Sequence, residues 1–336
     1  MRSVDALRLT GEITGEGAWK RGGLTAADWL VPVTDRCLAE LDDAISRWHR
    51  GPQPVETLDP VAFDLGACRE LMGRVRRKLD GAGLAVVDRI PVERYAEADN
   101  RAIGWLLART LGQVVGQKWD GVRLYDVKDS GQALGYGVRR SVTNLGQPFH
   151  TDGGWLSLPP AYVGLFCLES AGEGGVSRFA SLVTAHNEMR RRHPDRLDRL
   201  YRPFWWDRQA EHAPGDPPVA ARPVFAFDGR DLVARYYEEY VLNGQRLAGE
   251  PLDAEARDAL TALREIVDDP EHWVEFRIER GQFQYLQNRL FAHSRTGFLD
   301  TSTTRRRHMV RFWNRDEGTP HLEGQLPDAP AARPSP

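Results

Sequence analysis

The 336-residue chain is short of several things. It has three cysteines, Cys37, Cys68 and Cys167, an odd and widely spaced set with no Cys-x-x-Cys pair. That argues against both a disulfide framework and a thiolate metal site. No apolar run is long enough to span a bilayer, and the opening "MRSVDALRLTGEITGEG" holds no stretch of signal-peptide type, so a cytoplasmic protein is expected. The net charge is only −3, and the basic runs are no longer than Arg190-Arg191-Arg192 and Arg305-Arg306-Arg307. Neither nucleic acid nor an anionic membrane is therefore expected as a partner. Repeats at solenoid or propeller periods are absent too.

What is present is a globular composition, 41% hydrophobic and 28% charged, in a chain long enough to bury a large core. "TDRCLAELDDAISRWHRG" sets Leu38, Leu41, Ile45 and Trp48 on one helical face, with Thr34 as N-cap and Gly51 beyond the end. "CRELMGRVRRKLDGAG" and "NRAIGWLLARTLG" read as two more helices, and "LAVVDRIPV" as a strand. From about residue 120 the texture changes to short β-branched and aromatic segments bounded by Gly, Pro, Asp or Asn, among them "VTNLGQPFH", "AYVGLFCLE", "GVSRFASL", "FQYLQN" and "HMVRFWN". Two helical stretches interrupt them, "SLVTAHNEMRRRHPDRLDRLY" and "LDAEARDALTALREIVDD". The expected architecture is mainly β or α+β, a double-sheet jelly roll (double-stranded β-helix) with helices packed outside. One domain is expected over 1–316, mostly helical over 1–80 and jelly roll with helical insertions over 81–316. The Pro-, Gly- and Ala-rich 317–336 is expected to be a poorly ordered tail.

"PFHTDGGW", residues 148–155, places His150 and Asp152 two apart. On a strand such residues face the same side and can converge on one ion. The pair alone is not decisive, because His193-Pro194-Asp195 repeats it by chance. That copy lies between helical segments, where proline lacks the N–H a strand ladder needs, and is rejected. The best third ligand is His293, in the apolar "YLQNRLFAHSRTGF". Two histidines and one carboxylate on one face of an octahedron leave three positions open, which suits Fe(II) oxygen chemistry. His186, His212, His272 and His321 have no partner at metal spacing and read as surface or packing residues.

Further on, "RHMVR" read as a strand puts Arg307, Met309 and Arg311 on one face. Two inward arginines need anions. A dicarboxylate such as 2-oxoglutarate would satisfy one of them, its 2-oxo acid end on iron and its far carboxylate in a guanidinium fork. The other lies about 13 Å along the strand. It calls for a carboxylate, phosphate or sulfonate on a substrate, or for a structural ion pair with an acid such as Glu169 or Asp316.

With these motifs in order, the chain resembles the taurine dioxygenase-like branch of the Fe(II)/2-oxoglutarate-dependent oxygenases, over roughly residues 80–316. "NLGQPFHTDGGW" is similar to that family's proximal metal strand, "CLESAGEGGVSRFAS" to the strand that follows, "NRLFAHSRTGF" to its distal histidine segment and "RRRHMVRFWNRD" to its closing arginine strand. The resemblance implies that His150, Asp152 and His293 ligate iron, that Arg307 and Ser177 hold the far carboxylate of 2-oxoglutarate, and that Arg311 faces the substrate. It also implies oxidation, in the first place hydroxylation, of an unactivated C–H bond with O2 as cosubstrate and succinate and CO2 as co-products. Asp152 fills the position where a halogenase would bind halide. "YLQN" departs from the family's commoner "WDN", with Asn288 kept and Gln287 in place of Asp, which leaves the support of His293 open. A small acidic or zwitterionic substrate is expected, such as an amino acid or a natural-product intermediate. The rival readings are a metal-dependent hydrolase or isomerase on a cupin-like barrel and a non-catalytic jelly-roll binding protein. Neither accounts for the whole set of triad and paired arginines.

Overall fold

The computed structural model describes residues 7–302 and 306–323. Three helices form one outer layer: α1 (Asp35–Arg50), α2 (Gly66–Asp80) and α3 (Glu97–Leu111). The Thr34 side chain accepts the Cys37 N–H at the start of α1, and Gly51 follows its last turn, the cap and stop that the sequence carries. Leu41 and Ile45 of α1 and Leu71, Met72 and Val75 of α2 recur at helical spacing and are buried. They join Trp105 and Leu106 of α3 in one core with Phe166, Phe283, Tyr285 and Phe312 from the sheet beneath. Burying one such aliphatic side chain contributes about 1.5–3 kcal/mol.

Beneath the helices lie two sheets. Their strands are β1 (Leu30–Pro32), β2 (Leu84–Asp88), β3 (Gln113–Val114), β4 (Tyr125–Val127), β5 (Gln147–His150), β6 (Tyr162–Glu169), β7 (Ser177–Ser181), β8 (Trp273–Phe276), β9 (Phe283–Gln287), β10 (Phe291–Arg295) and β11 (His308–Arg315). The larger sheet runs β1-β2-β9-β6-β11-β3, with β4 alongside β11, and the smaller runs β8-β7-β10-β5. Strands β6 and β11 are almost wholly buried, as expected for strands covered on both faces. The fold is the double-stranded β-helix expected from the sequence. A second helical layer, α4 (Leu182–Arg192), α5 (Pro194–Leu200), α6 (Glu238–Ala248) and α7 (Ala254–Asp268), covers the other side. Leu200, Val241, Leu260 and Leu263 pack there against Phe204, Trp206 and Phe225. The helix α6 and the hairpin Phe204–Asp207/Val219–Arg222 lacked a clear sequence signal.

Two features add to the expected layout. Strand β1 falls within the expected helical N-terminal part and pairs in parallel with β2, so the larger sheet begins before residue 80. Residues 317–323, expected in the loose tail, lie against the body. The Pro320 carbonyl accepts the Gly116 N–H at 2.9 Å, Leu322 is buried, and Glu323 accepts from the Ser157 N–H and hydroxyl at 2.7 Å each. Residues 324–336 of that tail lie outside the described residues. Among the described residues no helix is long and apolar enough to cross a membrane.

Candidate metal and substrate site

His150 ends β5 and His293 sits in the middle of β10, directly opposite in register. Their rings lie 4.1 Å apart. Asp152 lies just past the strand, in a turn, yet its Oδ1 is 3.4 Å from His150 Nε2. The turn depends on the two glycines that follow. Gly153 has φ +66°, and a side chain on Gly154 would begin 2.7 Å from the Trp206 ring, so only glycine fits either place. One donor atom from each of His150, Asp152 and His293 lies within 4.8 Å of the others, and they form the one such group among the described residues.

The protonation of the trio suits a cation. The Pro148 carbonyl only accepts, so His150 Nδ1–H donates to it at 2.9 Å and Nε2 keeps its lone pair. In this structure Gln147 Nε2 donates to that lone pair at 2.9 Å. Burial, aided by the nearby Arg311 cation, pushes His293 down to about 3, so it is neutral and able to ligate. Burial alone would raise the Asp152 carboxyl. The Arg311 guanidinium beside it instead holds it well below the carboxylate range.

The outer oxygen of Asp152 is fixed from β11. Trp313 Nε1 donates to Oδ2 at 2.7 Å, and Arg311 Nη1 lies 3.0 Å from the same atom. Arg311 thus finds neither of the acids suggested for an ion pair. Glu169 pairs with Arg280 and Asp316 with Arg76. Asn288, fully buried, clamps the Asp152 backbone from both sides: its Oδ1 accepts the Asp152 N–H at 2.7 Å and its Nδ2 donates to the Asp152 carbonyl at 2.9 Å. The Asn of "YLQN" therefore supports the proximal carboxylate rather than the distal histidine. His293 Nδ1 and Gln287 Oε1 are both buried without a partner.

Arg307 precedes β11 and is 2% exposed. Its Nη2 donates to Met309 Sδ at 3.1 Å, which puts the two residues on the same side as the "RHMVR" spacing requires. A bulge falls between His308 and Met309. Its guanidinium lies 5.1 Å from the Phe298 ring centre, Nη1 has no partner, and burial pushes the group down to about 10. Ser177 starts β7, buried and opposite Arg295. Arg307 Nε lies 3.6 Å from where a side chain on Gly175 would begin. Arg295, which sequence reasoning passed over, lies over the same Phe298 ring at 4.8 Å and donates to the Thr143 and Leu145 carbonyls.

A cleft beside the ligands is lined by Arg139, Tyr237, Tyr240, Trp155, Arg311 and Trp313 among others. A roomier cleft of about 280 Å³ near Arg199, Trp205 and Asp253 contains none of the metal donors and is set aside for that reason. Trp313 had a signal in sequence, two residues beyond Arg311 on the same strand face. Arg139 had none. The rejected His193-Pro194-Asp195 proves to be the junction of α4 and α5, with Pro194 opening α5. His186 and His272 are packing residues, bonded to Tyr201 and to the Ile266 carbonyl.

A two-histidine, one-carboxylate group inside a double-stranded β-helix places the chain in the class of Fe(II)- and 2-oxoglutarate-dependent dioxygenases. Within that class it belongs to the family described as "Taurine catabolism dioxygenase TauD, TfdA family", whose model matches residues 53–313. FR-33289 synthase of Streptomyces rubellomurinus (strain ATCC 31215) is 27% identical over 309 residues, 90% of this chain and 89% of that protein. Uridine-5'-phosphate dioxygenase of an Amycolatopsis species is 31% identical over 171 residues, 50% of this chain and 61% of that protein. The fold is shared with an asparagine oxygenase solved with Fe(II), 3-hydroxyasparagine and succinate, at TM-score 0.63 and 19% identity over 86% of this chain and 94% of that one.

Proposed function

We propose that the chain oxidises, in the first place by hydroxylation, an unactivated C–H bond of a small acidic or zwitterionic molecule, forming succinate and CO2 from 2-oxoglutarate. The observation that carries the reading is the convergence of His150, Asp152 and His293 donor atoms within 4.8 Å of one another; beside it stands a buried arginine, Arg307, that no carboxylate of the described residues pairs with. Iron bound there supplies the O2 chemistry that no side chain has. His150 and His293 offer neutral imidazoles, and Asp152 offers Oδ1 while Trp313 and Arg311 hold Oδ2. Arg307, buried and unpaired, receives the far carboxylate of 2-oxoglutarate with help from the Ser177 hydroxyl, because a fork of charged hydrogen bonds answers its charge. The free Nη2 of Arg311 faces the substrate. Acidic substrates are further supported by a relative named for uridine 5'-phosphate, and amino acids by the asparagine oxygenase fold.

The test is anaerobic addition of Fe(II) and 2-oxoglutarate, with a weak visible charge-transfer band expected. Succinate and product are then measured across amino acids, small carboxylates and phosphate esters. A protein that forms no band, and no succinate with any of them, is not this enzyme.

A further inference from the structure

The cleft beside the metal donors has room for about 20 Å³, about one water molecule. No substrate enters unless part of its wall moves. Arg139 and its partner are the place to look. Arg139 is 7% exposed and forms an ion pair with Glu211 at 2.9 Å, the partner being 5% exposed. The two members of this pair are held very differently.

Arg139 is fixed. Its Nη2 donates to the Gln117 carbonyl at 3.0 Å, and its guanidinium lies 5.3 Å from the Tyr125 ring centre. The same two residues hold Arg311, whose Nε donates to Gln117 Oε1 at 2.7 Å and whose guanidinium lies 4.7 Å from Tyr125. Gln117 and Tyr125 thus make one frame for both cations. Glu211 is held by a loop, 208–218, with no regular structure of its own. The two residues before it, Gln209 and Ala210, have φ of 53° and 55°, a conformation that costs a non-glycine residue about 1 kcal/mol or more. Both members keep an unsatisfied buried atom, Arg139 Nε and Glu211 Oε2.

Charge points the same way. In the loaded site described above, a divalent ion and Arg307 balance Asp152 and a dicarboxylate. Arg139 and Glu211 then form a separate pair of no net charge, so exchange of Glu211 for an acid of the substrate leaves the charge of the pocket unchanged. We propose that Arg139 is the anchor for the substrate's acidic group, and that Glu211 is a resident stand-in which that group displaces as loop 208–218 opens. The shared chemistry is an oxyanion, carboxylate or phosphoryl. The inference rests on the oxygenase reading only for the identity of the cleft as the substrate site.

The experiment titrates acetate, methanesulfonate and methylphosphonate into the anaerobic protein saturated with Fe(II) and 2-oxoglutarate, by calorimetry, in wild type, Glu211→Gln and Arg139→Gln. Removal of the internal competitor in Glu211→Gln tightens binding of at least one probe by about tenfold or more, and Arg139→Gln weakens it by a similar factor, the worth of a charged hydrogen bond. Tightening confined to acetate or to methylphosphonate identifies the acid as carboxylic or phosphoryl. The melting temperature of Glu211→Gln should rise more on adding that probe than wild type does, since a buried unpaired cation is being answered. Binding that is equal to or weaker than wild type in Glu211→Gln overturns the proposal, as does undiminished binding in Arg139→Gln. A Glu211 that holds a substrate ammonium, or is merely structural, gives the first of these results. Failure of the oxygenase reading shows separately, as a missing charge-transfer band in wild type.

Discussion

Arg307, just before strand β11, and Arg311, within it, both reach the interior, and the two ends of this segment handle charge in opposite ways. At the Arg307 end no acid of the described residues pairs with the guanidinium, and burial lowers its affinity for the proton. Nearby Arg295 is satisfied only by carbonyls. At the Arg311 end each cation has a carboxylate, Asp152 for Arg311 and Glu211 for Arg139. An isolated buried cation is costly, which is why the far carboxylate of 2-oxoglutarate is proposed for the first end. The second end is neutralised from within, so the ligand proposed for it has to compete. Under the proposed reading, a cosubstrate common to every turnover is met by a ready cation, whereas the acid of the substrate is met by a cation that already has a partner.

The predictions probe that difference, starting with the residues on which both ends depend. His293→Ala, His150→Ala or Asp152→Ala should abolish the charge-transfer band and succinate formation. Full activity in His293→Ala would remove it from the ligand set. Next, Arg307→Lys keeps the charge but loses the planar fork. The Michaelis constant for 2-oxoglutarate should rise by about 1.5–3 kcal/mol of binding, and an unchanged constant would put the far carboxylate elsewhere. Arg311→Lys should act differently, because Arg311 grips Asp152 Oδ2. Apparent iron affinity should fall about tenfold, within the range for loss of a group that orients a metal ligand, with product formation falling further than succinate formation. Equal losses of the two would leave Arg311 only its grip on Asp152. Asn288→Ala leaves the Asp152 N–H and carbonyl without partners and should lower stability by about 1–3 kcal/mol, read as a drop in melting temperature. The smallest effect belongs to Ser177→Ala, about 1 kcal/mol on 2-oxoglutarate binding, with no change in iron affinity.

Much of this was legible in sequence because local rules and tertiary context agree. Thr34 and Gly51 bound α1 as caps do, and Asp253 caps α7 by accepting the Ala256 N–H. The alternating and aromatic segments became strands at the places read for them. Other features depended on neighbours distant in the chain. Strand β1 is three residues long, too short to announce itself, and exists because β2 offers a free edge. Residues 317–323 are anchored because Leu322 finds a hydrophobic cluster and Glu323 finds Ser157. Cys37 and Cys68, read only as widely spaced, meet with Sγ atoms 3.0 Å apart because α1 packs on α2.

By itself the sequence determined the donor types, their order and the spacing of Arg307, Met309 and Arg311 on one strand face, since a two-residue period is a property of the backbone. It could not determine which charge answers which. Arg311 was as well matched in sequence to Glu169 or Asp316 as to a substrate, and only the packing of β11 against the turn after β5 gave it Asp152. The pairing of Arg139 with Glu211, 72 positions away, was decided in the same manner. Coulombic partners are chosen by distance and burial in three dimensions, and neither is written in the local pattern of a chain.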